Sequence, residues 1–511
     1  MNRVKHMKSD SGDTTSIWMA TSTEIPSDGQ LKTDERANVC IVGAGIAGMT
    51  TAYLLAREGK EVIVLDDGPI GGSMTARTTA HLVTALDDRF FELERLHGER
   101  GAQLAAQSHA AAIDRVEQIV NDENIDCEFE RLDGYLFAPP NESKDSLEAE
   151  LMAAHRAGLT DIEMVERAPI TDFNTGPCLH FPRQAQFHPL RYLAGLSKAI
   201  RRNGGRILTQ SHASKIEGGA GARIETSGGA VVTADAVVVA TNTPVNDRFV
   251  IHTKQAPYIT YVIGARVPKN TITKALFWDT PNPYHYIRLE SMSDHDVLIV
   301  GGEDHKTGQA DDPNKRYSAL EHWTRTRFPM VESIDFQWSG QVLEPVDGLA
   351  FIGPNPLDDD NVFIATGDSG NGMTHGTIAG MLLTDLIMRR ENDWATLYDP
   401  SRKTLRALKD FAIENINVAV QFARLATPGD VTSVDQIPEG EGAVVRRGLT
   451  KVAAYRNESG TIYERSAVCP HLGCIVDWNT SEKTWDCPCH GSRFDAFGKV
   501  FQGPANRDLN S

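Results

Sequence analysis

The soft and imidazole donors of this chain are concentrated near its C-terminal end. The stretch VCPHLGCIVDWNTSEKTWDCPCHGSRFD (residues 468–495) holds Cys469-x-His471 and Cys487-x-x-His490, with Cys474 and Cys489 beside them. Four such ligands can hold one tetrahedral zinc. Two features argue against zinc: each ligand pair carries an extra cysteine, and Pro470, Gly473, Pro488 and Gly491 stand where a tight double loop would need them. Cys40, Cys127 and Cys178 are scattered by comparison. Clustered cysteines in a cytosolic protein more often mean a metal or redox centre than a staple.

A second motif lies near the start, in NVCIVGAGIAGMTTAYLLAREGKEVIVLDD. Val39–Val42 reads as an apolar strand, and Gly43, Gly45 and Gly48 supply G-x-G-x-x-G. Ile46–Glu58 continues as a helix stopped by Gly59, and Glu61–Leu65 is a second strand ending in Asp66. Glycine permits the tight turn and lets backbone approach a pyrophosphate at the helix N-terminus, while Asp66 is placed to accept from a ribose hydroxyl. With strand, helix and acid in register, the unit predicts dinucleotide binding. Later segments favour FAD over NAD: GGSMTARTTAHL, ADAVVVATNTPVN, DGLAFIGPNP and NVFIATGDSGNGMTHGTIAGMLLTDLIM bring the chain back repeatedly, as a flavin extending across the fold requires. No second G-x-G-x-x-G unit exists for NAD(P)H, so electrons are expected to enter from an organic substrate.

These motifs need a large scaffold. At 511 residues the chain predicts two or three domains of ordinary globular composition. The net charge of −18 repels phosphate backbones and anionic membrane surfaces, which sets nucleic acid aside as a partner. No apolar run approaches the roughly 20 residues of a transmembrane segment. The polar N-terminus lacks a signal core and a twin-Arg pair, so the expected compartment is cytoplasmic. Residues 1–36 read as a loosely ordered lead-in, with Trp18 and Met19 as candidate anchors. Residues 391–429 read as a helical linker whose Phe411, Val418, Phe422 and Leu425 form a packing stripe.

From about Asp430 to its end the chain resembles a Rieske [2Fe-2S] domain, a small β-domain. The resemblance implies that Cys469 and Cys487 hold one iron and His471 and His490 the other. Neutral imidazoles in place of thiolates raise the cluster's potential to roughly −150 to +300 mV. It also implies a disulfide between Cys474 and Cys489, as in Rieske proteins of the cytochrome bc complexes, whose oxidation state a reducing cytosol leaves open. Ser492 matches the serine that bonds a cluster sulfide, whereas Phe494 stands where such proteins usually carry Tyr.

Residues 37–390 resemble the D-amino-acid oxidase (DAO) superfamily of FAD-dependent oxidoreductases, the branch containing glycine and sarcosine oxidases. This implies an α/β, Rossmann-like FAD domain interleaved with an antiparallel-sheet substrate domain. By matching segments, Gly43, Ala44, Gly45, Ile46, Gly48, Asp66, Thr75, Arg77, Thr78 and Thr79 would contact FAD, with Ala240, Thr241, Gly367, Asn371, Gly372 and Met373. Arg77 stands where some relatives attach flavin through His, and no cysteine lies between Cys178 and Cys469, so FAD is expected to be non-covalent. The fusion of residues 37–390 to a domain at 430–511, with its RTTAHL, GGEDHKTGQ and WDCPCHGSRFD motifs, resembles a bacterial group of FAD–Rieske oxidoreductases. Joining a two-electron carrier to a one-electron relay raises the effective concentration of each for the other.

The substrate is less legible. The basic residues that clamp a carboxylate in amino-acid oxidases of this branch are replaced by Gln341, Gly370 and Thr374. In NPYHYIRLES, Tyr284, Tyr286 and Arg288 share one strand face. Arg288 is either an anion clamp between tyrosine walls or half of a structural ion pair. His81 and His375 flank flavin-contacting segments and are candidate catalytic bases, and GGEDHKTGQ reads as a Gly-bounded polar loop whose His305 faces the site. Two functions follow. One is an enzyme oxidising a small polar substrate, amine or amino-acid-like, by hydride transfer to FAD with single electrons relayed through the cluster to an unidentified acceptor. The other is an electron-transfer protein reduced by a partner, without a small-molecule substrate of its own. A Rieske oxygenase is disfavoured because no His-x3–4-His spacing occurs.

Overall fold

The computed structural model describes residues 7, 9, 11–139, 144–246 and 251–511. Its first sheet orders the strands Phe351–Pro354, Val362–Thr366, Val231–Val239, Glu35–Val42, Val62–Leu65 and Arg206–Leu208. Along this order all neighbours are parallel except the edge pair Phe351–Pro354 and Val362–Thr366, and the hairpin Ala213–Glu217/Ala222–Thr226 joins Val231–Val239 antiparallel. The central strands read as continuous apolar runs because helices, among them Ile46–Arg57 and Gly372–Ile387, cover them. The predicted strand–turn–helix–strand is present; the helix and second strand match the reading to within a residue, while the first strand begins at Glu35, four residues earlier than read.

The second sheet has nine strands. Its main order is Ser333–Pro345, Gln255–Val267, Asp296–Lys306, His285–Ser291, Leu276–Asp279, Glu130–Phe137, Cys178–Gln186 and His81–Leu82. GGEDHKTGQ is therefore largely strand and not loop: Gly301 to Lys306 end the strand Asp296–Lys306. Gly301 is needed there because the Tyr286 ring lies across it, 2.2 Å from where a Cβ would sit.

The C-terminal domain consists of a three-stranded sheet (Glu441–Arg447, Thr450–Arg456, Ile462–Ser466) and a four-stranded one (Asp477–Asn479, Thr484–Asp486, Arg493–Asp495, Val500–Gln502). Its core packs Trp478, Trp485 and Phe494 around the cysteines. The linker forms the helix Leu408–Phe422, from which Val418 and Phe422 pack on that core. Leu425, expected on the same stripe, is 45 % exposed because the helix has by then tightened into the 3-10 turn Ala423–Ala426.

The lead-in departs from expectation. Residues 1–6, 8 and 10 lie outside the described residues, but Ser11, Ser16–Met19, Ile25 and Leu31 are buried against the body of the protein. Trp18 is fully buried and its indole N–H donates to Thr78 O at 2.6 Å, and Ser16 caps the short helix Ile17–Ala20. Apolar bulk at residues 17–19 outweighs the polar composition around it. Among the described residues no helix is long and apolar enough to cross a membrane.

Candidate redox and substrate site

A cavity of about 260 Å³ begins at the glycine-rich turn and runs between the two large sheets. Gly43 has φ +109°, and a Cβ on Gly48 would sit 1.9 Å from Gly43 O, so the turn closes only with glycine at both places. Asp66 ends its strand with Oδ2 accepting the Ala44 N–H at 2.6 Å, and Thr75 Oγ1 accepts the Ile46 N–H at 3.1 Å. Gly43, Gly45, Ile46, Asp66, Thr75, Arg77, Thr78, Thr79, Ala240, Thr241, Gly367, Asn371, Gly372 and Met373 line this one space. Ala44 and Gly48 shape the turn without lining it. A turn that excludes side chains and an acid at the second strand's end fit a dinucleotide, and the cavity's extension to the second sheet fits the flavin half.

Arg77 plays a different part from the one the sequence suggests. Arg77 is among the residues lining the cavity, but its guanidinium bonds Ser11 Oγ (3.1 Å), Thr14 Oγ1 (2.8 Å), Ser339 O (2.9 Å) and the Glu482 carboxylate (3.0 Å). Both charged side chains are fully buried. Burial alone would raise the Glu482 carboxyl, but the Arg77 and Arg493 guanidiniums outweigh it and hold the group below its ordinary value. Arg77 thus joins the flavin-binding segment to the C-terminal domain.

At the far end Tyr284, Tyr286, Trp278, His81 and Asp87 line the cavity. The tyrosine rings are 5.7 Å apart, and Tyr286 Oη is 2.7 Å from Thr260 Oγ1. A second hollow of about 410 Å³ shares Asp87, Trp278 and Tyr284 with the first. Asp87 packs onto Gly370, whose φ of +70° and lack of Cβ leave room for the carboxylate. Burial pushes the Asp87 carboxyl up to about 7, with Arg89 and a Tyr284 hydrogen bond opposing and Asp88 and Asp304 reinforcing the rise. Burial likewise lifts Asp304 and Asp368 to about 6. These carboxylates were not singled out in the sequence, where Asp87 and Asp88 are an ordinary acidic pair; only the apolar run around them hints at burial.

The other candidates separate. Arg288 is buried outside the cavity lining; it pairs with Glu290 and donates to Thr79 O, Ala80 O and Phe187 O at 3.1–3.2 Å. It is the structural ion pair and not the anion clamp. His81 lines the cavity with Nδ1 3.0 Å from Thr79 Oγ1; burial, then the Arg288 charge, pull it down to about 3, so it is a neutral imidazole. His375, in the first turn of Gly372–Ile387, directs Nδ1 to Asp368 O at 2.8 Å, and burial lowers it to about 4. His305 stacks on Tyr261 and bonds Ala310 O, away from the cavity.

The cluster loops abut the flavin-binding part. Cys474 and Cys489 form a disulfide with Cα atoms 6.4 Å apart. The sulfurs of Cys474, Cys487 and Cys489 lie within 4.8 Å of one another, but the disulfide leaves only Cys487 as a ligand. Its thiol and that of Cys469 are within hydrogen-bonding reach of each other, and the His471 and His490 rings are 5.0 Å apart. His490 Nδ1 is buried with no hydrogen-bond partner. A pair of thiols and a pair of imidazoles, one with an orphaned nitrogen, fit the donor set of a [2Fe-2S] centre. Ser492 lies within hydrogen-bonding reach of the Cys469 thiol. Two further contacts join the cluster loops to the flavin-binding part. His252 packs edge-on to both ligand imidazoles, at 5.0 and 6.0 Å, and Gln341 Nε2 reaches from the cavity to Gly491 O at 3.0 Å.

Residues 38–386 match the family described as FAD dependent oxidoreductase (DAO), and residues 427–511 match the Rieske [2Fe-2S] domain. A Bacillus subtilis protein named for a Rieske 2Fe-2S iron-sulfur centre, YhfW, is 31 % identical over 96 % of both chains. Gamma-glutamylputrescine oxidoreductase of Escherichia coli is 26 % identical over 73 % of this chain and 89 % of its own length. Among solved structures, glycine oxidase from Geobacillus kaustophilus superposes with a TM-score of 0.61 at 20 % identity, covering 72 % of this chain and 99 % of that one.

Proposed function

The chain belongs to the DAO family of FAD-dependent oxidoreductases and ends in a Rieske [2Fe-2S] domain, and from that premise we propose that it oxidises a small amine and passes the electrons singly to an external one-electron acceptor. Bound FAD supplies a hydride acceptor and the cluster a one-electron carrier. The carrying observation is the charge of the substrate end. Gln341 and Gly370 stand where this branch of the family places a basic carboxylate anchor, and the Asp87 carboxylate fills the space over Gly370.

An anion between aromatic walls suits an ammonium group. Asp87 pairs with the substrate cation and, with a carboxyl near neutrality, accepts its proton so that the free amine can lose hydride from the adjacent carbon. The iminium left behind takes up water and splits into a carbonyl compound and ammonia or a smaller amine. Tyr284 and Tyr286, kept neutral by burial, wall the site and orient the substrate. His81 positions and does not accept protons, since a base near 3 is ineffective at neutral pH. The name of the E. coli relative, an oxidoreductase of an acylated diamine, supports the amine reading.

Anaerobic mixing with a panel of amines and amino acids tests this. Flavin bleaching by amines, followed by the signal of the reduced cluster, is expected. Bleaching by a reduced carrier protein but by no small molecule would replace this reading with the electron-transfer one.

A further inference from the structure

The flavin cavity is not built by the DAO-type part alone. Val500, Phe501, Gln502, Gly503, Ala505 and Asn506, all from the last strand of the Rieske domain and the tail after it, line it as well. This segment is fastened along the cavity. Asn506 Nδ2 donates to Ala213 O (3.0 Å) and Ser214 O (3.1 Å), just beyond the strand Arg206–Leu208. Nearby, His212 Nδ1 meets Asp67 Oδ2 at 3.0 Å. Towards the flavin end, Gln502 Nε2 donates to Gln341 Oε1.

Independent of this lining, three amide atoms bordering the cavity are buried and unpartnered: Asn242 Nδ2, Gln502 Oε1 and Asn506 Oδ1. Gln502 is 97 % buried, being only 3 % exposed. Buried amide groups without partners cost stability unless a ligand supplies the missing bond. Two of the three belong to the Rieske domain.

The same segment is tied to the cluster. Ala505 N–H donates to Ser492 Oγ at 2.9 Å, and Gln341, held by Gln502, donates to Gly491 O, the residue after the ligand His490.

We propose that the C-terminal strand and tail of the Rieske domain form one wall of the FAD site, with Gln502 and Asn506 bonding the cofactor through their amides. FAD retention and Rieske docking are then one linked equilibrium, and the wall that holds the flavin also positions the cluster loop. The inference rests on the FAD assignment and not on the identity of the substrate.

The test is FAD affinity in the full-length holoprotein. Asn506→Ala and Gln502→Ala should each bind FAD roughly tenfold more weakly, as loss of a buried hydrogen bond implies. The readout is flavin released on dilution and re-titrated into the stripped protein, with an unchanged cluster signal showing that the domain is folded. Glu458→Gln, an exposed change in the same domain, should bind FAD like the parent. Adding FAD should also slow backbone hydrogen exchange at residues 500–506. Parental affinity in both variants, with exchange at 500–506 indifferent to FAD, overturns the proposal. A protein that binds no flavin at all overturns both it and the proposed function, whereas failure of the amine panel touches only the latter.

Discussion

The imidazole of His252 stands edge-on to that of His471, with ring centroids 5.0 Å apart. One residue belongs to the flavin-binding part and the other to the cluster loops, so the two parts of the chain meet beside the cluster's histidines. Replacing His252 by Ala should leave FAD and cluster content intact while slowing cluster reduction after flavin reduction by about 10- to 100-fold, the usual effect of removing a group that supports metal ligands. Rapid mixing with an amine, followed at flavin and cluster wavelengths, measures it; altered electron-resonance lines of the reduced cluster would accompany the change.

Phe494 is fully buried on the strand Arg493–Asp495. It cannot donate the hydrogen bond that a tyrosine gives to a cluster sulfur. Such bonds favour the more negative, reduced state. Phe494→Tyr should raise the potential by about 60 mV if the new bond is worth about 1.4 kcal/mol to the reduced form. Redox titration decides, and an unchanged or lower potential would refute the argument.

Arg77 and Glu482 form a fully buried ion pair across the domain boundary. Removing one partner strands a charge, which costs about 3–5 kcal/mol in such sites. Glu482→Ala should therefore lower the denaturant midpoint sharply and loosen the domains. The double variant Arg77→Met with Glu482→Leu should recover much of the loss, because a matched apolar pair buries no charge.

Asp87 predicts the pH dependence. Its carboxyl is raised to about 7, mainly by burial, so it is neutral below that pH and anionic above. A cationic amine binds the anionic form, and kcat/KM should fall as pH drops through about 7. Asp87→Asn should abolish that limb and lower kcat/KM at pH 8 by about 10- to 100-fold, as loss of a charge-assisted bond implies. An acid limb that survives the substitution would assign it elsewhere.

Much of this was legible in the sequence. The strand–turn–helix–acid unit is local: G-x-G-x-x-G and Asp66 follow from backbone geometry within one βαβ unit, and the structure shows them as read. The cluster loops are equally short-range, and Cys474 and Cys489 do pair. Arg288 shows the limit. Period-two alternation placed it on a face with Tyr284 and Tyr286, but whether its charge met a substrate or Glu290 depended on side chains from other segments.

Cofactor type and domain order were therefore written in short motifs, whose spacing alone constrains the backbone. Tertiary structure decided what the charges do. Asp87 is an unremarkable acid until burial beside Gly370 lifts its carboxyl, and Arg77 and Glu482, 405 residues apart, resemble surface charges until the domains dock. Desolvation and long-range contact have no period along the chain, so only the folded molecule could bring an acid and a strand of the Rieske domain to the same cavity.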